Sequence, residues 1–478
     1  MPPQIIAPGH EVSAARTGCP QCEERMMAPM EERPARPAYA LYILLLLLAI
    51  NSLSYADRHV FSVLIPAIKT EFGASDSLLG LVGGPGFVAS YVLFSMPLAR
   101  FADRWSRRGV LTLSATLWSA ATAACGAAGN MLQMSIARLM VGIGEAGGLP
   151  PAQSLLASLY DERRRSSAMG VLSASTYIGV VLGLTGGAAV AAMWGWRWAF
   201  FALAIPGFPL ALLLWLTGPR RSKAAQTPSD EPSESLWRAI RRCWSIPSLR
   251  LLGLGVGTFN IFGYAAAIWK PAFFMRSHGM TIVEAGSWLG IGAAIGGITG
   301  SLLSGVIVDR LRVRGEEWQL RVPAIAFLLA FPLFIVMFTL PGGAAVQIGG
   351  LRVPGVALLS ILTGMMAAMW AGPSFGAAAR LVLPHQRAQA TAMLVVIINV
   401  IGSAFGPVLG GIVSDLLADR FGAESLRISL FSLSVLTIFG GLLFWRASVH
   451  YPHDLTRVGR SDEAPSLLGE GKMKESTL

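Results

Sequence analysis

The sequence predicts an all-helical integral membrane protein whose twelve transmembrane helices form two groups of six. Three observations predict this fold. Hydrophobic residues make up 53% of the 478 residues and charged residues only 14%, whereas soluble globular domains are about 25% charged. Apolar segments long enough to cross a bilayer recur along the chain. Landmarks of the first half also return in the second half in the same order. The composition excludes a disordered chain, a disulfide-rich secreted module and almost every kind of soluble enzyme.

Twelve apolar segments of about 20 residues or more are expected to be the spans. They are expected to be helices because backbone polar groups inside a bilayer must be satisfied within the segment, and the alternating pattern of a barrel strand is missing. The first segment has no small-residue cleavage site, so it is expected to be a retained helix rather than a signal peptide. The twelve segments are 39–69, 76–101, 109–128, 131–159, 166–192, 197–217, 248–276, 282–308, 321–340, 351–382, 387–416 and 425–447.

A long polar connection divides the twelve segments into six and six. It is rich in Pro, Ser, Glu and Arg, and its stretch Arg238–Trp244 is expected to lie on the membrane surface as an amphipathic segment. The polar ends of the chain are expected to be disordered. The predicted organisation is a disordered cytoplasmic tail 1–37, an N-terminal six-helix bundle 38–217, a cytoplasmic linker 218–247, a C-terminal six-helix bundle 248–450 and a cytoplasmic tail 451–478.

Basic residues give the orientation of these segments. With the amino terminus inside, 27 of the 38 Lys and Arg residues fall in the inner tails and connections, and only six fall in the outer ones. This bias predicts that both termini are cytoplasmic. The net charge of +11 is then explained by topology, and nucleic acid is not expected as a partner.

A lone CxxC motif, Cys19-Pro-Gln-Cys22, lies in the polar amino-terminal tail. Zinc sites of this type need a second pair of ligands, and the sequence offers no such pair. We therefore expect neither a metal nor a cofactor, and the role of the motif stays open.

The two halves share three landmarks in the same order. A small residue, three others and Asp-Arg follow the second and eighth segments, at Ala99–Arg104 and at Gly305–Arg310, 206 residues apart. The fifth and eleventh segments each open on Arg-x-x-Ala, at Arg165 and Arg387, and carry glycines at four-residue spacing. These glycines, which are Gly179, Gly183, Gly402 and Gly406, are expected to let helix backbones pack closely.

With these repeats and with Arg138–Glu145 of the fourth segment, the sequence resembles the major facilitator superfamily. The resemblance covers residues 38–450 and implies the pseudo-symmetric 6+6 fold of that superfamily, moving by rocking of its two halves. Ala99 stands where the loop signature has glycine, and Leu184 follows Gly183 where exporters have proline. The four loop residues Asp103, Arg104, Asp309 and Arg310 are expected to form a conformational latch that bridges the cytoplasmic helix ends in one state and releases in another.

Charges inside the membrane are the strongest functional signal, because they are expensive there and mark transport pathways. The first segment contains Asp57 and Arg58, and the fourth contains Arg138 and Glu145. Seven helical residues turn about 700°, so Arg138 and Glu145 share a face roughly 10 Å apart. An arginine that moves toward or away from a carboxylate changes its proton affinity. A static network of buried ion pairs is the alternative. Lys270 is not included among these charged residues because it falls close to the end of its segment.

A narrower resemblance is to the spinster branch of the superfamily. Asn51–Arg58 is similar to the first-helix pattern of that branch, and Gly142–Ala146 is similar to its fourth-helix pattern. The resemblance implies a transporter of lysophospholipids or sphingosine phosphate, coupled in at least some members to protons. Asp57 and Glu145 would be linked to protons, with Arg58 and Arg138 binding an anionic headgroup. The expected cavity-lining residues are Asn51, Tyr55, Asn260, Tyr264 and Trp370.

The function expected from the sequence is transport of an amphiphilic anionic lipid by alternating access. The protein is expected to be a monomer in a bacterial inner membrane and not an enzyme, since the spans contain no HExxH motif and no clear nucleophile and base. Two alternatives stay open. One is an exporter of drugs or small organic anions, and the other is a membrane receptor that keeps the fold without transporting.

Overall fold

The computed structural model describes residues 37–219, 236–383 and 386–474. These residues form an all-α protein with twelve spans in two groups of six, as the sequence predicts. Ten continuous helical stretches are long and apolar enough to cross a membrane. The fourth span is not among these ten, and the eleventh and twelfth spans follow each other so closely that they are joined as one stretch.

The first six spans connect through short turns. The second and fifth spans contain π-helical turns, Val82–Gly86 and Leu182–Gly186, and both turns are rich in glycine. The fourth span breaks between Ala146 and Leu149, where two glycines precede two prolines. The six spans are Pro37–Phe72; Asp76–Leu81 with Phe87–Arg104; Arg107–Ala127; Met131–Ala146 with Leu149–Leu159; Glu162–Ser173 with Ser175–Val181 and Gly187–Trp194; and Trp196–Thr217.

The second six spans repeat this arrangement. Span 7 ends at Gly279, whose φ of +63° is readily adopted only by glycine. Span 8 begins with a capping box made by Thr281 and Glu284. The six spans are Pro247–His278; Ile282–Arg312; Trp318–Thr339; Gly355–Ala368 with Ala371–Arg380; Arg387–Ile397 with the π turn Ile398–Ser403 and Ala404–Phe421; and Ser425–Ser434 with Leu436–Lys474.

The linker contains a helix, Leu236–Ser245, which includes the stretch expected to be amphipathic. Two features of the fold differ from the sequence-based expectation. The tenth span begins after a two-stranded hairpin, Ala345–Ile348 paired with Leu351–Pro354, rather than at residue 351. The last helix continues to Lys474, so the expectation of disorder after about residue 455 is wrong over that stretch. Residues 1–36, with Cys19 and Cys22, lie outside the described residues.

The glycines of spans 5 and 11 lie at equivalent helix contacts in the two halves. A Cβ atom at Gly179 or Gly183 would meet span 1 at the backbone carbonyl of Ser52 or Ala56. A Cβ atom at Gly402 or Gly406 would likewise meet the backbone of span 7. Span 5 therefore packs on span 1 as span 11 packs on span 7, with backbones close enough that a side chain does not fit.

Both ends of the described chain lie at the same end of the bundle as the linker, which we call the linker end; the opposite end is the far end. Tyr39 Oη donates to the carbonyl of Thr217 at 2.8 Å, which ties the start of span 1 to the end of span 6. The buried Asp454 carboxylate accepts from the amide of Ser248 at 2.9 Å and so joins span 12 to the start of span 7. A carboxylate at a helix amino terminus is favourable because it meets free N–H groups there.

The two halves meet at the far end and near mid-height. Across spans 5 and 8, Gly286 lies against the backbone of Leu184 and accepts a hydrogen bond from Thr185 at 3.3 Å. Across spans 2 and 11, Gly80 and Gly84 lie against Pro407. Small residues thus let the halves approach closely over this part of their interface.

Candidate functional site

Two ion pairs that cross between spans 1 and 4 form the centre of the candidate site. Arg138 binds Asp57, and Arg58 binds Glu145. The sequence places one acid and one cation side by side on each helix, and the fold pairs each acid with the cation of the other helix. All four charges of the predicted set therefore belong to one network, which we call the crossed pairs.

The pair of Asp57 and Arg138 is fully enclosed. Arg138 Nη1 donates to Asp57 Oδ2 at 2.7 Å, and the side chains of Arg138 and Asp57 are 3% and 0% exposed. Thr122 of span 3 donates to the other carboxylate oxygen at 2.9 Å, so both oxygens of Asp57 are satisfied. The Arg138 guanidinium also stacks on the ring of Phe61. This pair is therefore held by residues of spans 1, 3 and 4, and both carboxylate oxygens of Asp57 accept a hydrogen bond.

The pair of Arg58 and Glu145 is less complete. Arg58 Nε donates to Glu145 Oε2, while Glu145 Oε1 is buried without a hydrogen-bond partner among the described residues. The Arg58 side chain remains 30% exposed and its guanidinium is surrounded by the rings of Tyr55, Phe87 and Tyr91, at 4.9 to 5.2 Å. A buried carboxylate oxygen without a donor is costly in the charged form and is suited to carry a proton.

A small cleft reaches this second pair. It has a volume of about 20 Å³ and is lined by Asn51, Tyr55, Arg58 and Glu145 together with side chains of spans 2 and 3. A cavity needs about 10 to 15 Å³ to hold one water molecule. The cleft therefore has room for one water next to the residues of this pair.

A larger cavity of about 210 Å³ lies between the two halves. Its wall is mainly apolar and includes Phe259, Phe262 and Phe334. His59 of the first half and Lys270 of the second half supply its ionisable groups. Lys270 lies eight residues before the end of span 7, roughly 12 Å along the helix axis. It is thus inside the bundle rather than at its surface, and the sequence-based set lacked it because the end of the span was uncertain.

The predicted lining residues lie in three different places. Asn51 and Tyr55 line the small cleft. Asn51 and Asn260 each donate to the carbonyl four residues earlier in equivalent spans 1 and 7, and Asn260 also lies against Gly402. Tyr264 packs beside the core of the second half, and Trp370 stacks on Phe375 at the break in span 10. The wall of the larger cavity is built from other residues.

Only the part of the predicted latch in the second half of the chain can be compared with the structure, because the side chains of Asp103 and Arg104 lie outside the described part. Asp309 and Arg310 are exposed. Nearby, Arg380 Nη1 donates to Glu316 at 2.6 Å, and Arg312 lies 3.3 Å from the same carboxylate. Hydrogen bonding to Arg380 lowers the pKa of Glu316. The latch stays a prediction, and the ion pairs seen at this end involve neighbours of the predicted residues.

A polar cluster joins the halves at the far end, and we call it the far-end network. Asp76 of span 2 accepts from Arg276 of span 7 at 2.8 and 2.9 Å, and from Ser414 of span 11 at 2.8 Å. Lys69 donates to the same carboxylate at 2.6 Å. Asp415 of span 11 accepts the amides of Asp76 and Ser77 at 3.0 and 2.7 Å. This cluster was not among the predicted site residues, since its charges lie at predicted span ends where charge is ordinary.

Comparison with known proteins gives the family. The family model described as Major Facilitator Superfamily matches residues 47–407. A protein of Mycolicibacterium smegmatis named MFS-type efflux pump is 32% identical over 86% of this chain and 93% of its own length. Human protein spinster homolog 1 is 26% identical over 85% of this chain and 80% of its own.

Solved structures agree with these relatives. A bacterial homolog to the human lysosomal transporter Spinster, in an inward-facing and unoccupied conformation, superposes with a TM-score of 0.78 at 26% identity. The likeness covers 88% of this chain and 99% of that one. The crossed pairs, the repeated glycine contacts and these matches lead to one conclusion: the chain belongs to the major facilitator superfamily of transporters and is a relative of its spinster branch.

Proposed function

We propose that this transporter moves an amphiphilic anionic lipid, such as a lysophospholipid or a sphingosine-phosphate-like molecule, and couples its movement to protons. Asp57 and Glu145 are the proton-linked groups of this proposal, and Arg58 and Arg138 hold the charge balance around them. The observation that carries it is the unequal satisfaction of the crossed pairs. Asp57 accepts a hydrogen bond on each carboxylate oxygen, whereas Glu145 has one buried carboxylate oxygen without a donor among the described residues.

Glu145 is the better proton carrier of the two acids. Its unpaired oxygen is buried, and Glu145 lines a cleft with room for a water, so a small local movement would bring a proton to it. The Arg58 side chain is 30% exposed, so it has room to move away from Glu145. When Arg58 leaves Glu145, the carboxylate loses its counter-charge and its proton affinity rises. The conformational cycle and proton uptake would then be linked through one arginine.

The orientation in this proposal follows the positive-inside bias, which places the linker end in the cytoplasm of a bacterial inner membrane. The far-end network then closes the outer side, and the central cavity is reached from the cytoplasm. Rocking of the two halves about the cavity would open the other side. The short connections within each half favour motion of each six-span bundle as one body.

Proteoliposomes test the coupling directly. Uptake of a radiolabelled lysophospholipid is measured with and without an imposed pH gradient, for the native protein and for Glu145→Gln and Asp57→Asn. We expect the gradient to stimulate native uptake and to have no effect on Glu145→Gln. Glu71→Gln is the matched control, because Glu71 pairs with Arg197 at the far end, within the first half. Native uptake that ignores the gradient, or coupled uptake by both acid variants, would contradict proton coupling.

A second candidate function is export of drugs or small organic anions. It is favoured by the efflux-pump name of the relative at 32% identity. The same proteoliposomes separate the two functions, because a lipid transporter moves the lysophospholipid while an exporter of the second kind moves a soluble organic anion such as benzoate. Flux of benzoate without any flux of lysophospholipid would move the assignment to the exporter.

A further inference from the structure

The two arginines of the crossed pairs are already engaged, which leaves the anionic group of a substrate in need of another cation. Arg138 is buried against Asp57, and Arg58 donates to Glu145. Binding a substrate anion at Arg138 would require breaking a fully buried pair, which is costly. An anionic substrate therefore needs a cation that has no carboxylate partner in the described interior.

Lys270 is such a cation. Its ammonium lies 3.5 Å from Ser360 Oγ and 5.9 Å from the ring centroid of Phe334, and no carboxylate within 4 Å pairs with it in the described part of the chain. An ammonium strongly prefers hydration or an anion to an apolar surrounding. A lysine held inside the bundle in this way is available to an anion that is not part of the chain.

The cavity around Lys270 has the shape and chemistry for an apolar group attached to that anion. Its volume of about 210 Å³ exceeds the ~150 Å³ of a dry cavity that binds benzene. Phe259, Phe262 and Leu289 give it an apolar wall, while His59, Ser360 and Thr363 are the polar groups beside the lysine. Both halves contribute, so an occupant would touch the two bodies that must move against each other.

We infer that Lys270 binds the acidic group of the transported amphiphile in the cavity between the halves, with the apolar part of the molecule packed on the phenylalanines. The inference rests on the proposed function and adds its headgroup site. It assigns anion recognition to the second half and leaves the crossed pairs of the first half free for proton coupling. A lysine is a compact point charge, so it suits a phosphate or a carboxylate without demanding a planar fork geometry.

The test is equilibrium binding of radiolabelled oleoyl lysophosphatidic acid to the full-length protein in nanodiscs. Lys270→Met keeps the length of the side chain and removes its charge, and Lys270→Arg keeps the charge. We expect Lys270→Met to weaken binding tenfold or more and Lys270→Arg to bind within threefold of the native protein. Arg352→Met is the matched control, because it removes one exposed positive charge in the hairpin outside the cavity and is expected to leave the affinity unchanged.

Two further arms separate the possible outcomes. Monoolein, an uncharged amphiphile, should bind native protein and Lys270→Met equally, which also shows that the variant is folded. Inorganic phosphate at millimolar concentration should not displace the lipid. Displacement would overturn the inference that the site binds an amphiphile and would indicate a site for small anions. Native binding of lysophosphatidic acid that Lys270→Met retains would overturn the inference while the proposed function stands. Failure of the native protein to bind either amphiphile would overturn both.

Discussion

Asp57 and Arg138 show what a buried charge requires of its surroundings. Each compensates the other, and Thr122 also donates to Asp57, so loss of one partner leaves a charge in a dry interior. We expect Arg138→Leu to destabilise the protein by about 3 to 5 kcal/mol, seen as a lower thermal unfolding temperature in detergent. The double variant Asp57→Asn with Arg138→Leu should recover part of that loss, since it leaves neither charge unpaired.

The control for this prediction is Arg427→Leu, which removes an exposed ion pair with Glu424. Exposed pairs contribute about 0 to 1 kcal/mol, so this variant should unfold close to the native temperature. Equal unfolding temperatures for Arg138→Leu and Arg427→Leu would show that the buried pair has no structural role.

The four charges of the crossed pairs could be found from the sequence because ionisable residues are rare inside apolar segments. Their partners could not, since the helical repeat gives the face of each residue but not the neighbouring helix that meets it. Lys270 was left out for a related reason. Its distance from the membrane surface depends on where span 7 ends, and the structure extends that helix to His278, two residues beyond the predicted end.

At the scale of the elements, the contact between spans 1 and 5 depends on glycine at particular positions. A Cβ atom at Gly183 would collide with the carbonyl of Ala56, whereas one at Gly186 would meet open space. We expect Gly183→Ala to lower the unfolding temperature and the transport rate. Gly186→Ala, three residues away, should be neutral or slightly stabilising, because alanine is favoured over glycine in helices by up to about 1 kcal/mol. Equal effects of the two substitutions would contradict close packing at Gly183.

Hydropathy located all twelve spans because length and apolarity are imposed by the bilayer itself. It could not find the π turns in spans 2, 5 and 11, which arise where helices crowd at the interface between the halves. It also placed the start of span 10 too early. The hairpin strand Leu351–Pro354 runs directly into the helix that follows, and composition alone does not separate a short strand from a helix start.

At the scale of the whole molecule, the two halves are alike in backbone and unlike in charge. Spans 5 and 11 pack on spans 1 and 7 in the same way. The crossed pairs, however, belong to the first half, while Lys270, the lysine of the larger cavity, belongs to the second half. The repeat was visible in the sequence because packing requires small residues at matched positions. The difference in charged groups between the halves could be predicted from the sequence only in part, because it depends on which residues face the shared cavity.

The far-end network joins the two halves at one end of the molecule. Asp76 is held by Arg276 and Ser414 of the opposite half, and hydrogen bonds to charged groups contribute about 1.5 to 3 kcal/mol each. Asp76→Asn should therefore shift the equilibrium toward opening of the far end by tenfold or more, since each 1.4 kcal/mol is a factor of ten. The measurement is the labelling rate of Ala267→Cys, which lines the cavity, by an impermeant maleimide added outside the cell.

The background for this labelling is a protein whose native cysteines are replaced by alanine. Glu71→Gln is the matched control, because it breaks an ion pair at the same end but within one half, and it should leave the labelling rate unchanged. A faster rate for Asp76→Asn alone ties the network to the contact between the halves rather than to local stability. Unchanged labelling in Asp76→Asn would mean that the packing of Gly80 and Gly84 on Pro407 is sufficient to keep the far end closed.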